Sequence, residues 1–181
     1  MRDLGRALAP LLRAGDLVLL SGELGAGKTT LTRGLGEGLG VRGAVTSPTF
    51  VIARVHPSLT GGPALVHVDA YRLGGGLDQM EDLDLDVSLS DSVVVVEWGE
   101  GKVEELSDSR LEVRIARSLG GDGPAADLAA DPAADSESGQ EPGQETDPVL
   151  ESEADPRRVT LTGLGARWAG VDWSPLVAAD A

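Results

Sequence analysis

A chain of 181 residues has room for one ordinary domain, and its lack of cysteine excludes a disulfide framework and any thiolate metal site. A net charge of −15 argues against a protein that grips bare nucleic acid alone, because phosphate contact needs clustered cations. No stretch is apolar for long enough to cross a membrane, and the N-terminus lacks the h-region and cleavage site of a signal peptide, so a cytoplasmic location with no membrane contact is expected.

In chain order, Leu4, Leu8, Leu11 and Leu12 fall on one face of a predicted amphipathic helix. "DLVLLSG" is a short apolar run ending in turn residues and reads as a buried strand. A glycine-rich turn follows, then a helix from Lys28 to Leu39 that stops near Gly40. "TFVIARVH" and "ALVHVD" read as two strands joined by the turn "PSLTGGP". "LDQMEDLDLD" is a short acidic helix or loop, and "SVVVVEWG" is a continuously apolar, β-prone run that suits a central strand. "RLEVRIA" and "RRVTLTG" alternate apolar with polar residues, as half-exposed antiparallel strands do. "LGARWAGVDWSPLVAA" is expected to form a C-terminal helix, broken near Pro175.

Between those last two strands, Gly120 to Pro156 holds eleven Asp or Glu and no Lys or Arg. It is rich in Gly, Pro, Ala and Ser and has too little apolar surface to offset its ordering entropy. Residues 1–181 are therefore expected to form a single α/β domain, with 120–156 a disordered acidic insertion within it.

The chemistry begins at "SGELGAGKTT". Gly22, four residues, then Gly27-Lys28-Thr29 is the P-loop spacing, in the strand–turn–helix context that a P-loop requires. Leu24, Gly25, Ala26, Gly27, Lys28, Thr29 and Thr30 are the candidate phosphate-binding residues. Glycines let amides approach phosphate without a Cβ in the way, and the helix N-terminus adds favourable potential. Lys28 is expected to contact the β- and γ-phosphates, and the Thr29 hydroxyl to bind Mg²⁺.

A P-loop needs acids near the metal. Asp69 ends an apolar strand, where a Walker B aspartate belongs, and by the period of two it shares a face with His67 and Tyr71. Glu97 is a second strand-terminal acid, suited to ligating Mg²⁺ or orienting the attacking water; a solvated strand end is the plainer alternative for both acids. Trp98, next to it, suits either packing or partner contact. Thr46, Ser47 and Thr49 form a hydroxyl-rich turn around Pro48, of the kind that senses a γ-phosphate and its Mg²⁺ in nucleotide switches.

Taken together and in this order, "GELGAGKTT", "TSPTF", "HVDAYRL" and "VVVVEWGE" resemble the TsaE (earlier YjeE) family. These are small bacterial P-loop ATPases of the machinery that makes threonylcarbamoyladenosine in tRNA. The resemblance covers roughly Leu4 to Ala116 and resumes at Arg157. It implies a P-loop NTPase fold, a mixed parallel and antiparallel central sheet flanked by helices. It also implies Mg²⁺-dependent ATP hydrolysis, and association with the transferase TsaD and its partner TsaB, with tRNA met only through that complex. Carried over by motif, Leu24 to Thr29 bind phosphate, Thr29 and Glu97 hold the metal, and Asp69 is the Walker B acid. Thr49 belongs to the switch-like loop, and Trp98 is the tryptophan paired with the metal-site glutamate. The chain departs from the family pattern in its acidic insertion. It also begins almost inside its first helix, where the family has residues that include a threonine near the base.

Three rival readings differ in what they require. Guanine recognition by N-K-x-D needs asparagine, which this chain lacks, so a GTPase is disfavoured. A small-molecule kinase would need an arginine-bearing lid, whereas Arg110, Arg114, Arg117, Arg157 and Arg158 fall in strand-like runs. A regulatory module that holds ATP with negligible turnover alone is the non-enzymatic alternative.

Overall fold

The computed structural model describes residues 1–48, 51–72, 89–101, 103–104, 107–117 and 157–177. Thr49, the "LDQMEDLDLD" stretch and the 120–156 insertion lie outside the described residues. The elements are α1 (Arg2–Leu8), β1 (Leu17–Gly22), α2 (Lys28–Leu39), β2 (Ala53–His56), β3 (Ala64–Asp69), β4 (Ser92–Glu97), β5 (Arg110–Arg117), β6 (Arg157–Leu164) and α3 (Ser174–Val177). One six-stranded sheet runs β2-β3-β4-β1-β5-β6. Its four inner strands are parallel to their inner neighbours, and each edge strand is antiparallel. The chain thus has the mixed-sheet α/β fold that its motifs imply.

The strand pattern follows burial. The runs Leu17–Leu20 and Val93–Val96 are apolar at every position and buried on both faces, as inner parallel strands require. On one face Val18, Leu20, Leu65, Val93, Val95, Leu111, Val113 and Ile115 meet Leu31 and Leu35 of α2. On the other, Leu17, Leu19, Val66, Val68, Val94 and Val96 form a separate core with Leu89 and Val103. By the period of two, His67, Asp69 and Glu97 lie on the α2 face.

α1 packs on α2 at backbone distance. A Cβ on Gly34 would come 2.0 Å from the Arg2 carbonyl oxygen, and one on Gly5 would come 2.3 Å from that of Leu31. Glycine inside a helix costs about 1 kcal/mol relative to alanine; here it is what allows the two helices to touch. Around that crossing, Glu37 accepts from Nε of Arg2 and of Arg6, each at 2.8 Å. Pro10 turns the end of α1 into a 3-10 turn over Ala9–Leu11, since proline offers no amide hydrogen to continue the helix. Leu8 and Leu12 are buried, with Leu4 and Leu11 packed beside them, as the leucine spacing predicts.

Three expectations need correction. The strand expected from Thr49 begins only at Ala53, because Val51 and Ile52 both donate to the Pro48 carbonyl in a turn. Tyr71 does not continue β3: its amide donates to Asp69 Oδ1 at 3.1 Å, which closes a 3-10 turn at Ala70–Arg72 and leaves the ring 62% exposed. Among the described residues the C-terminal helix covers only Ser174–Val177. Residues 165–170 form turns instead, because Trp168 packs over Gly163 and stacks with Trp173 at 5.8 Å, while Arg167 reaches back to Asp16. These long-range contacts override local helical spacing. No helix among the described residues is long and apolar enough to cross a membrane.

Candidate functional site

The parallel strands β3, β4, β1 and β5 all end on one side of the sheet, where open α/β sheets gather ligands. β1 ends at Gly22 with φ 139°, and a Cβ there would lie 2.3 Å from the Ile115 carbonyl oxygen. Only glycine lets the chain turn off β1 so close to β5. Leu24 is 81% exposed at the tip of the loop, and Ala26 is fully buried beneath it. Gly27 caps α2 in a left-handed conformation with no side-chain cap, so no side-chain oxygen competes for the first-turn amides of Lys28, Thr29 and Thr30, which line the cavity beside the loop. Gly25 offers its carbonyl to Arg117 Nη2 at 3.2 Å, across from the end of β5.

Lys28 curls into this loop. Its Nζ donates to the carbonyls of Gly22 at 2.7 Å and Glu23 at 3.0 Å, and stands 3.6 Å from the centre of the Trp98 ring. Burial pushes the Lys28 ammonium below the ordinary lysine range, while the charges of Glu97 and Asp69 pull it back up. A polyanion in the loop would repay the same desolvation. Trp98 holds a left-handed backbone, φ 61°, which bulky residues adopt only when the surroundings enforce it. Its ring also leans on Tyr71, 5.2 Å away.

The two acids are neighbours in register: Asp69 pairs with Glu97, and Glu97 with Leu20. Both carboxylates are buried, so the solvated strand end is not what the fold makes of them. The Thr29 hydroxyl contacts both Glu97 oxygens, at 3.0 and 3.2 Å. Ser47 Oγ donates to Asp69 Oδ2 at 3.3 Å, which joins the hydroxyl-rich turn to the strand ends. Thr46 instead accepts from Arg54 at 3.0 Å, away from the acids. A cavity of about 220 Å³ runs from Leu24 and Gly25 past Lys28 and Thr29 to Asp69, Glu97 and Trp98. A larger hollow of about 260 Å³ beside α2 is lined by Arg2, Arg33 and Glu37, but Glu37 is already taken by two arginines and Arg33 by the Val45 carbonyl. Chemistry rather than volume selects the first.

The donor set fits a hard divalent cation that shares its shell with phosphate. Thr29, Glu97 and Asp69 offer oxygen only, and no group of three His, Cys, Asp or Glu able to cage a metal occurs among the described residues. Mg²⁺ suits such a partial shell, since it keeps several waters and phosphate oxygens. Two contacts escape a reading by local sequence. His67 Nε2 lies 2.7 Å from Glu97 Oε1, and Arg117 reaches the loop. The alternation in H-x-D hints at the first, but only strand adjacency reveals its partner.

The model of the family described as Threonylcarbamoyl adenosine biosynthesis protein TsaE matches residues 1–121. A Streptomyces coelicolor protein named tRNA threonylcarbamoyladenosine biosynthesis protein TsaE is 65% identical over 176 residues, covering 97% of this chain and 99% of that one. A Bacillus subtilis protein of the same name is 40% identical over 118 residues, 65% of this chain and 72% of its own length. The crystal structure of Bacillus subtilis YdiB superposes with a TM-score of 0.50 at 34% identity, over 67% of this chain and 71% of that one. On the fold, the loop and these likenesses, the chain belongs to the TsaE family of threonylcarbamoyl adenosine biosynthesis proteins.

Proposed function

We propose that this chain is a cytoplasmic Mg²⁺-dependent ATPase that supports formation of threonylcarbamoyladenosine in tRNA. It works beside a TsaD-like transferase and a TsaB-like partner and meets tRNA only through them. One observation carries the reading: Lys28, Thr29, Asp69 and Glu97 converge around a single cavity at the ends of parallel strands. The curated relatives' names supply the pathway.

In this reading the loop from Leu24 to Gly27 and the first-turn amides of α2 cradle the phosphates. Lys28 leaves the Gly22 and Glu23 carbonyls to meet negative charge that grows as the terminal phosphoryl group is transferred to water. Thr29 and Glu97 would hold Mg²⁺, which when bound would supply charge that neutralises the phosphates. Asp69, fixed by Ser47 and by the Tyr71 amide, would order water beside the metal. Thr49 belongs to the same hydroxyl-rich turn and would sense the γ-phosphate.

A second reading, ATP binding with negligible turnover until a partner docks, draws on the parked geometry of Lys28 against Trp98. Hydrolysis assays with and without the two partners separate the readings. Lys28→Ala is expected to lower turnover by at least about 100-fold and to weaken ATP far more than adenosine. Normal hydrolysis by a folded Lys28→Ala protein would overturn the assignment.

A further inference from the structure

We propose that His67 is a positioning residue for the Glu97 carboxylate; this rests on reading the site as a magnesium–nucleotide site. His67 is fully buried on β3, between β2 and β4. It is opposite Val95 in register, and Glu97 is two residues further along β4, so the two side chains meet diagonally on the α2 face. Nε2 lies 2.7 Å from Glu97 Oε1, and Nδ1 is buried without a hydrogen-bond partner among the described residues.

That pair of facts selects one arrangement of the ring hydrogen. A hydrogen on Nδ1 would be a buried donor with nothing among the described residues to accept it, and a bare Nε2 would set its lone pair against a carboxylate oxygen. The hydrogen therefore belongs on Nε2, donated to Glu97 Oε1. Oε1 then takes both the imidazole and the Thr29 hydroxyl at 3.0 Å, while Oε2 has the longer Thr29 contact at 3.2 Å. A long, rotatable glutamate is held in one rotamer before any ligand arrives. Without His67 that ordering would have to be done at each binding event.

The test uses the full chain. Nitrogen-15 spectra of the metal-free protein should show His67 with its hydrogen on Nε2. Paramagnetic titration with Mn²⁺ in the presence of ADP should show affinity falling about 10- to 100-fold in His67→Leu, with metal-free ADP affinity unchanged. His67→Gln, whose amide N–H reaches to a similar depth, should recover most of the loss. A hydrogen on Nδ1, unchanged Mn²⁺ affinity in both variants, or equal loss in both overturns the positioning role while leaving the ATPase reading intact. Wild-type protein that binds no Mn²⁺ with ADP overturns that reading and this inference together.

Discussion

β1 has a buried acid near each of its ends, and the two are treated in opposite ways. Asp16, just before the strand, is gripped by Arg167: Nε reaches Oδ1 and Nη2 reaches Oδ2, both at 2.8 Å. Nη2 also donates to the Leu11 carbonyl at 2.7 Å, and the Arg13 amide donates to Oδ2 at 2.9 Å. That carboxylate is charge-matched and its oxygens are taken. Glu97, beside Leu20 at the far end, is met by a hydroxyl and an imidazole, and the nearby Lys28 ammonium points to backbone carbonyls. Its charge is held in place without being cancelled by a bidentate guanidinium. A buried acid that only fastens the fold is strongly destabilising once its cation is lost; Glu97, proposed above to receive a metal ion, is left room for one.

The contrast can be broken by substituting each acid's surroundings. The largest effect is expected at Glu97. Glu97→Gln keeps the shape but removes the charge, so Mg²⁺-dependent turnover should fall by at least about 100-fold. Urea unfolding midpoints should stay close to wild type. If turnover survives, Glu97 is a second structural acid and the contrast fails.

Arg167→Ala should do the reverse. Removing the partner of a buried carboxylate costs about 3–5 kcal/mol, read as a large drop in the denaturation midpoint. Nucleotide affinity per folded molecule should be unchanged, because Arg167 meets the start of β1 rather than the end that carries the loop. Loss of nucleotide binding at full stability would show the two ends to be coupled.

The smallest effect sharpens the comparison with an exposed acid. Hydrogen bonds from Arg2 and then Arg6 hold the Glu37 carboxylate down from its ordinary 4.5 to about 2. A depressed carboxylate contributes stability above its unfolded value and loses it as pH falls through the folded one. The stability difference between wild type and Glu37→Gln should therefore be full above pH 4.5 and fade toward pH 2, and it should shrink with added salt. A difference that persists at pH 2 would assign the effect to packing of α1 on α2.

Much of this was legible one segment at a time. The P-loop is a contiguous motif whose glycines, lysine and threonine act through local backbone geometry, so its strand, turn and helix could be read from spacing alone. The apolar runs of β1 and β4 announced inner strands because burial on both faces leaves no polar alternation. The end of β3 is not legible this way: a period of two places Tyr71 on its face and does not reveal where an Asp side chain will stop the strand.

What the sequence determined by itself was the set of elements with strong local signals and the candidate groups for phosphate and metal. Tertiary structure alone decided which of them touch. His67 and Glu97 are 30 residues apart, Thr29 and Glu97 are 68 apart, and Asp16 and Arg167 are 151 apart. Those contacts depend on strand order and on the pleat that points alternate side chains to one face. They also decided against the long C-terminal helix, since burying Trp168 and pairing Arg167 outweigh the few tenths of a kcal/mol per residue that set helical preference.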